Sequence, residues 1–157
     1  MERGTHIPQN NLFAKDIYRA FTAELGAMTA YVQGAVTLAR HLPALTRLFD
    51  EIARVEMSHY EQLGQLLLHL GVSPTINARL RQEPIRLGDD LTVAASGLAA
   101  RMIKEKINEE QNAAEEYRRL AKNAPSKAIS DLLLGIAEEE EGHALSLNGM
   151  LKRFETS

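Results

Sequence analysis

The sequence lacks cysteine and tryptophan, and it contains no long apolar run. The absence of cysteine excludes a disulfide scaffold, a thiolate-bound zinc or iron–sulfur site and a cysteine nucleophile, so any metal must use nitrogen and oxygen ligands. No run approaches the roughly 20 apolar residues of a bilayer span. Residues 1–9 do not have the organisation of a signal peptide, and we therefore expect a cytoplasmic protein. The formal charge of -3 favours neither nucleic acid nor a membrane surface as a partner.

Strand-forming residues and helix breakers are also scarce. Aromatic residues make up only 5% of the chain, whereas the helix-favouring residues Ala, Leu, Glu and Arg are abundant. Prolines and clustered glycines occur in few places, so four long segments remain uninterrupted. These segments predict an all-α protein of one domain, residues 1–157, with helices over residues 10–41, 43–70, 90–123 and 125–154. Asn10 and Asp89 are the expected N-caps of the first and third helices, and Pro125 is expected early in the fourth.

The lengths of the connections predict how the helices are arranged. A helix of about 30 residues is about 45 Å long. Short links near Pro43 and Pro125 make each flanking helix pair an antiparallel hairpin, whereas residues 71–89 can cross the whole bundle at about 3.3 Å per residue. The sequence thus predicts a ferritin-like antiparallel four-helix bundle with a long crossover between the second and third helices. Residues 1–9 are expected to be an N-terminal extension.

Each predicted helix has an apolar stripe that polar residues interrupt near its middle. Apolar residues recur at steps of three and four, as in the helices of a bundle. The chain is also an approximate repeat, with Glu-x-x-Ala-x-x-x-Tyr at Glu24 and Glu110 and Ile-Ala-x-x-Glu-x-x-His at Ile52 and Ile136. Two such hairpins related by a two-fold axis would bring the interruptions to one level. The interrupting residues are Glu24, Glu56, His59, Glu110, Glu140 and His143.

These residues are the ligand inventory of a carboxylate-bridged dimetal site, in which two helices each contribute a Glu and two contribute Glu-x-x-His. A Glu and a His three residues apart share a helix face and can reach one point. Four ionised carboxylates in an apolar core would be costly, but two divalent ions cancel their charge while the imidazoles stay neutral. The predicted roles are terminal ligands for Glu24 and Glu110, bridging ligands for Glu56 and Glu140, and one capping ligand per ion for His59 and His143.

Other interpretations of the same pattern stay open at the level of the sequence. A single Glu-x-x-His occurs often on solvated helices, and a buried polar layer can serve only to fix the register of a helical interaction module. Tyr31 and Tyr117, seven residues after Glu24 and Glu110, are either core aromatics or hydrogen-bond and proton donors beside the ions. In the second case they are the candidate catalytic residues.

Several ionisable residues lie outside the pattern. His6, His41 and His69 are expected to have no role in the site. Acidic residues flank the predicted ligands and are expected on solvated faces, although a register shift of one residue would exchange Glu109 or Glu139 for a ligand. These flanking residues are Glu109, Glu115, Glu116, Glu138, Glu139 and Glu141.

The combined elements resemble the rubrerythrin branch of the ferritin-like superfamily over residues 10–151, and the segment LGVSP at residues 70–74 is similar to that family as well. The resemblance implies a non-haem di-iron or dimanganese centre that reacts with hydrogen peroxide or dioxygen. It also implies an external electron donor, because the rubredoxin domain of full-length rubrerythrins requires cysteine. Ala113, three residues after Glu110, stands where rubrerythrins carry a further glutamate ligand.

The leading hypothesis is an oxidoreductase with two iron or two manganese ions that reduces hydrogen peroxide or activates dioxygen. Both metals accept carboxylate and imidazole ligands, so the sequence does not choose between them. The alternative is a ferritin-type protein that oxidises and stores iron. Storage requires a closed shell of many subunits, whereas the oxidoreductase needs only a monomer or a homodimer, and light scattering separates the two hypotheses.

Overall fold

The computed structural model describes residues 9–76 and 91–155, and nearly all of them are helical. The four helices are α1 (Gln9–Leu38), α2 (Pro43–His69), α3 (Leu91–Lys122) and α4 (Lys127–Glu155). These two ranges contain no β-strand, so the prediction of an all-α fold is confirmed. None of the four helices is long and apolar enough to span a membrane.

The end of α1 differs from the sequence prediction. α1 ends at Leu38 rather than at residue 41. The amides of His41 and Leu42 donate to the Leu38 carbonyl at 3.0 and 2.9 Å, which closes a turn after the helix. Leu42 has φ −134° and ψ 68°, because the ring of the following Pro43 disfavours helical angles at the preceding residue. Pro43 then begins α2, where its missing amide hydrogen costs nothing.

Two helix starts differ by one or two residues from the predicted positions. α4 begins at Lys127 rather than at Pro125, because Ser126 is its N-cap. The Ser126 Oγ accepts from the Ile129 amide at 3.3 Å, and this bond satisfies a donor that the first helical turn leaves unpaired. α1 already includes Gln9, so Asn10 is not its N-cap. The third predicted cap, at position 89, and residues 1–8 of the expected extension lie outside the described residues.

α2 ends in a tight hydrogen-bonded turn at Gly71. The Val72 amide donates to the Leu67 carbonyl at 2.8 Å, and the Gly71 amide donates to the Leu68 carbonyl at 3.0 Å. This pattern requires a left-handed residue after the helix, and Gly71 has φ 77°. Glycine adopts that angle without the steric cost that a Cβ would bring. The turn sends the chain away from the helix axis at the beginning of the predicted crossover.

Contacts between the two hairpins determine the direction of each helix. The Tyr31 hydroxyl contacts Glu110 and the Tyr117 hydroxyl contacts Glu24, so residue numbers rise along α1 as they fall along α3. α1 is therefore antiparallel to α3, and the short connection makes it antiparallel to α2 as well. α2 and α3 are consequently parallel, as in ferritin-like bundles. The end of α2 and the start of α3 lie at opposite ends of the bundle, and residues 77–89 of the predicted crossover lie outside the described residues.

The core consists of two apolar clusters that are separated along every helix. One cluster includes Phe21 and Leu133, and the other includes Phe49 and Leu147. On α1 and α4 the first cluster precedes the predicted ligands and the second follows them, and on α2 and α3 the order is reversed. The polar interruptions therefore occupy one layer between two fully apolar blocks. Burial of these blocks drives the bundle to form and removes the layer from bulk water.

The close approach of α1 and α2 at Gly34 leads to a prediction. A Cβ at Gly34 would lie 2.7 Å from two ring carbons of Phe49. The Phe49 ring is fully buried and packs edge-on against the Tyr31 ring, with 5.2 Å between centroids. Because the ring cannot yield without moving Tyr31, we expect Gly34→Ala to reduce the free energy of unfolding by about 1–3 kcal/mol in denaturant titrations.

Gly26 provides the matched control for this substitution. A Cβ at Gly26, on the same helix, meets no heavy atom within 4 Å. Gly26→Ala is therefore expected to raise the free energy of unfolding by about 0.5–1 kcal/mol, because alanine loses less backbone entropy in a helix. Equal stability of the two variants would show that Phe49 tolerates the added methyl group.

Candidate metal centre

The layer between the two apolar clusters is formed by the six predicted metal ligands. Each is at most 8% exposed, and the other buried side chains of residues 12–76 and 97–155 are aliphatic or aromatic. α1 and α3 each contribute one glutamate, while α2 and α4 each contribute a Glu-x-x-His pair whose members share a helix face. The six residues are Glu24, Glu56, His59, Glu110, Glu140 and His143.

The six side chains form two overlapping groups, each able to hold one metal ion. Each group combines one glutamate and one histidine of its own with two glutamates that both groups share. Within a group, one oxygen or nitrogen atom of every residue lies within 4.8 Å of the others. The shared residues are Glu56 and Glu140, the two predicted bridging ligands. The groups are Glu24, Glu56, His59 and Glu140, and Glu56, Glu110, Glu140 and His143.

Four buried atoms of the layer lie close together without forming hydrogen bonds. Nδ1 of His59 is 3.0 Å from Oε1 of Glu140, and Nδ1 of His143 is 3.1 Å from Oε1 of Glu56. None of these four atoms has a hydrogen-bond partner, and Thr46 Oγ1 is the one other such buried side-chain atom in the described helices. The atoms of each pair thus lie within ion-pair distance but not in hydrogen-bond geometry. Buried polar atoms without a hydrogen bond are costly, and coordination of a cation would remove that cost.

Glu24, Glu110 and the two histidines hold protons in this layer. Burial raises the pKa of Glu24 and of Glu110 to about 8. Burial alone would lower the pKa of the imidazoles, but the surrounding carboxylates outweigh it and raise the pKa of His59 to about 12 and of His143 to about 11. At neutral pH all four groups are therefore protonated.

The two shared glutamates behave in the opposite way. Burial raises the pKa of Glu56 and Glu140, but contacts with the two imidazoles outweigh burial and hold the pKa of both below its ordinary value. The layer then contains four carboxyl groups and four protons, two of them on carboxyl groups and two on imidazolium rings. Its net charge is zero, and two divalent ions would supply the same positive charge as these protons.

Tyr31 and Tyr117 connect the two hairpins through this layer. The Tyr31 hydroxyl donates to Oε1 of Glu110, and the Tyr117 hydroxyl donates to Oε1 of Glu24. Each hairpin thus holds a glutamate of the other. Burial and the neighbouring carboxylates raise the pKa of both hydroxyls, so the two residues remain protonated donors. Both candidate catalytic residues are therefore core aromatics and hydrogen-bond donors to predicted ligands at the same time.

Glu139 also contacts the layer, although it lies on a solvated face as predicted. Its side chain is 56% exposed, yet Oε2 lies 2.6 Å from Nε2 of His59. A carboxylate only accepts, so Nε2 donates and Nδ1 faces the other ligands. The signal was present in the sequence, because Glu139 directly precedes Glu140 and neighbouring helical residues point about 100° apart. A residue in that position lies at the edge of the apolar stripe of α4, facing α2.

Loss of this contact is expected to weaken one of the two ion sites. In the internal repeat Val55 occupies the position of Glu139, and within the described part of the chain no carboxylate contacts Nε2 of His143. We expect Glu139→Val to reduce metal affinity at the His59 group by about 10- to 100-fold, because the imidazole loses the acceptor that orients it. Competition with a fluorescent chelator measures both affinities.

Two further variants complete this test. Glu139→Gln keeps an oxygen acceptor for Nε2 of His59 and is expected to retain most of the affinity. Glu138→Val changes an exposed neighbour on α4 and is expected to have no effect. Unchanged affinity in Glu139→Val would show that packing alone orients the His59 ring.

The other histidines and the other acidic residues that flank the predicted ligands are not part of the layer in the described residues. His41 and His69 are exposed at helix ends, and His6 lies outside the described residues. The other acidic residues that flank the ligands are exposed, as predicted, and some form ion pairs with basic residues of the surface. They are Glu109, Glu115, Glu116, Glu138 and Glu141.

A four-helix bundle whose buried layer combines four carboxylates and two imidazoles in two overlapping groups is the arrangement of ferritin-like dimetal-carboxylate proteins. A family model described as Rubrerythrin matches residues 17–151, which extend from α1 to α4. The chain belongs to the rubrerythrin family, and the resemblance inferred from its motifs is confirmed. No curated protein and no solved structure is similar enough to the chain to count as a match.

Proposed function

We propose that this protein is a dimetal oxidoreductase that holds two iron or two manganese ions and reduces hydrogen peroxide or activates dioxygen. One observation carries the proposal: the two ligand groups share Glu56 and Glu140. Two ions held by the same pair of carboxylates would be close enough to act on both atoms of one O–O bond. Membership of the rubrerythrin family supports a dimetal centre.

The donor set suits ions that change oxidation state. When bound, two redox-active ions supply one electron each, which is the change that cleavage of an O–O bond requires. Carboxylate oxygen and imidazole nitrogen bind both iron and manganese. We assign Glu24 and His59 to one ion, Glu110 and His143 to the other, and Glu56 and Glu140 to both.

Tyr31 and Tyr117 would keep the terminal carboxylates in place and hold protons beside them. Each hydroxyl donates to a glutamate of the other hairpin, so the carboxylate cannot rotate freely. Cleavage of an O–O bond consumes protons, and these hydroxyls are buried O–H groups in contact with predicted ligands. We assign them the relay of protons to the reacting oxygen atoms.

Electrons would come from outside these 157 residues. The sequence contains no cysteine and therefore cannot hold an iron–sulfur centre of its own. We propose an external donor that supplies one electron at a time. All six predicted ligands lie in one chain, so a monomer has a complete site and a homodimer is compatible with the same chemistry.

Rapid mixing of the reduced protein with oxidant tests the proposal. The protein is loaded anaerobically with ferrous iron and mixed with hydrogen peroxide or with dioxygen, and oxidation is followed by absorbance. We expect oxidation faster than that of free ferrous iron, and no such acceleration in Glu56→Ala/Glu140→Ala. Rates equal to those of free iron with both oxidants would rule out the redox function. Elemental analysis of protein purified without added metal distinguishes iron from manganese.

A further inference from the structure

A groove along the seam between α1 and α3 reaches the layer of predicted ligands. Its volume is about 360 Å³, and its walls include Gly26, Ala27, Ala30 and Ala113. All four glutamates of the layer line its inner end, whereas neither histidine does. We call this cavity the α1–α3 groove. It approaches the layer from the carboxylate side.

The inner end of the groove is formed by predicted metal ligands. Oε1 of Glu56 and Oε1 of Glu140 have no hydrogen bond, and each residue is only 1% exposed. Both residues line the groove. A molecule that enters the groove therefore reaches the two carboxylates that we assign to both ions.

The outer part of the groove has no net charge. Nζ of Lys106 lies 2.5 Å from Oε2 of Glu109 and 5.0 Å from the centre of the Tyr31 ring. A second cavity of about 310 Å³ continues along the seam and shares Ala30, Lys106 and Glu109 with the groove. The ion pair thus stands between two cavities with its charges cancelled. Such a passage suits a neutral molecule better than an ion.

The groove is larger than hydrogen peroxide requires. A water molecule in the liquid takes about 30 Å³, so hydrogen peroxide, with its two oxygen atoms, would fill only a small part of the cavity. The side walls present methyl groups of alanine, which gain from contact with an apolar body. At Ala113, a longer side chain such as the glutamate implied by the resemblance would narrow the space.

We propose that the α1–α3 groove admits alkyl hydroperoxides, with the alkyl group against Gly26, Ala27 and Ala113 and the O–OH end at Glu56 and Glu140. This inference rests on the proposed function and adds its substrate class. The O–O bond of R–O–OH breaks, and two electrons come from the reduced ion pair. The alkyl oxygen takes one proton and leaves as the alcohol R–OH, and the other oxygen takes a second proton and becomes water. Both protons come from solvent, and the external one-electron donor restores the reduced state.

Gly26→Leu is the variant that tests the groove. Gly26 lines the groove and a Cβ there meets no heavy atom within 4 Å, so a leucine fits on the helix and adds bulk at the wall of the groove. Gly135→Leu on α4 is the matched control, because its Cβ also meets nothing within 4 Å and Gly135 does not line the groove. Both substitutions replace a helical glycine by a better helix former, so both proteins are expected to fold.

The rates with two peroxides decide between the outcomes. The reduced, metal-loaded proteins are mixed with tert-butyl hydroperoxide or with hydrogen peroxide. We expect Gly26→Leu to lower the ratio of the rate with tert-butyl hydroperoxide to the rate with hydrogen peroxide by about tenfold or more. Gly135→Leu should change neither rate. An equal ratio of the two rates in all three proteins would overturn the groove proposal.

The two proposals can fail separately. If the wild-type protein reacts with hydrogen peroxide but not with tert-butyl hydroperoxide, the groove proposal fails and the proposed function stands. If it reacts with neither peroxide nor with dioxygen, both fail.

A binding measurement that needs no turnover uses zinc-loaded protein and tert-butanol, with saturation transfer detected by NMR. We expect transfer for the wild type and Gly135→Leu and its loss in Gly26→Leu, and no transfer for the wild type would overturn the groove proposal.

Discussion

Alanine at both Glu56 and Glu140 is expected to abolish binding of both ions. Each ligand group loses two of its four residues, because both groups contain both of these glutamates. One glutamate and one histidine then remain per ion, too few to compete with water for a divalent metal. Elemental analysis after loading and desalting should show a fall from about two ions per chain to near none.

Two variants separate this result from general damage to the fold. Glu24→Ala removes a residue of one group only and is expected to leave one ion bound. Glu138→Ala changes an exposed residue of α4 and should keep two ions. Two ions per chain in the double variant would show that the shared carboxylates are not ligands.

Thermal unfolding distinguishes a metal centre from a polar layer that only fixes helix register. A bound ion stabilises the folded state, and more so the more tightly it binds, so chelation should lower the melting temperature of the wild-type protein. The double variant Glu56→Ala/Glu140→Ala should show no response to chelator. A wild-type melting temperature that chelation leaves unchanged would favour the register-fixing interpretation.

Loading with two divalent ions at pH 7 is expected to release about four protons. A metal ligand must be deprotonated, yet at this pH burial keeps Glu24 and Glu110 protonated, with a pKa of about 8, and the carboxylates keep His59 and His143 charged. Two carboxyl protons and two imidazolium protons make four. A pH indicator in weakly buffered solution, or calorimetry in two buffers of different ionisation enthalpy, measures the number.

The direction in which proton release and metal affinity change with pH, and the pH range of the change, follow from the same pKa values. Groups with a raised pKa hold their protons below that pKa, so metal affinity falls as the pH falls. Above pH 8, Glu24 and Glu110 have already lost their protons, and the release should decrease toward about two. Release that is near zero at pH 7, or constant from pH 7 to 9.5, would contradict the proton distribution described here. The double variant, which binds no ion, provides the baseline.

The helices and their order follow from local properties of the sequence. Pro43 sets the start of α2, and Gly71 allows the turn that ends it, so both ends of that helix were predicted within one residue. The start of α4 was missed because a serine N-cap and a proline compete there, and the Ser126 hydrogen bond decides the outcome. Such competition depends on differences of about 1 kcal/mol, which residue type alone does not resolve.

The six predicted ligands could be selected from the sequence because their spacing places them on the apolar faces of their helices. Glu139 was missed because a residue at the edge of a seam contacts a neighbouring helix only if the two helices have the right rotation and offset. The same holds for the exchange of partners between hairpins, in which Tyr31 holds Glu110 and Tyr117 holds Glu24.

Taken alone, the order of residues determines which faces are apolar and which polar groups must share the interior, because these depend on periodicity within a single helix. Only the packed bundle decides which atoms meet, which remain unpaired and where a cavity opens. The α1–α3 groove exists because small residues of two distant segments face one another between the two helices. The distance between these helices does not follow from the sequence of either segment alone.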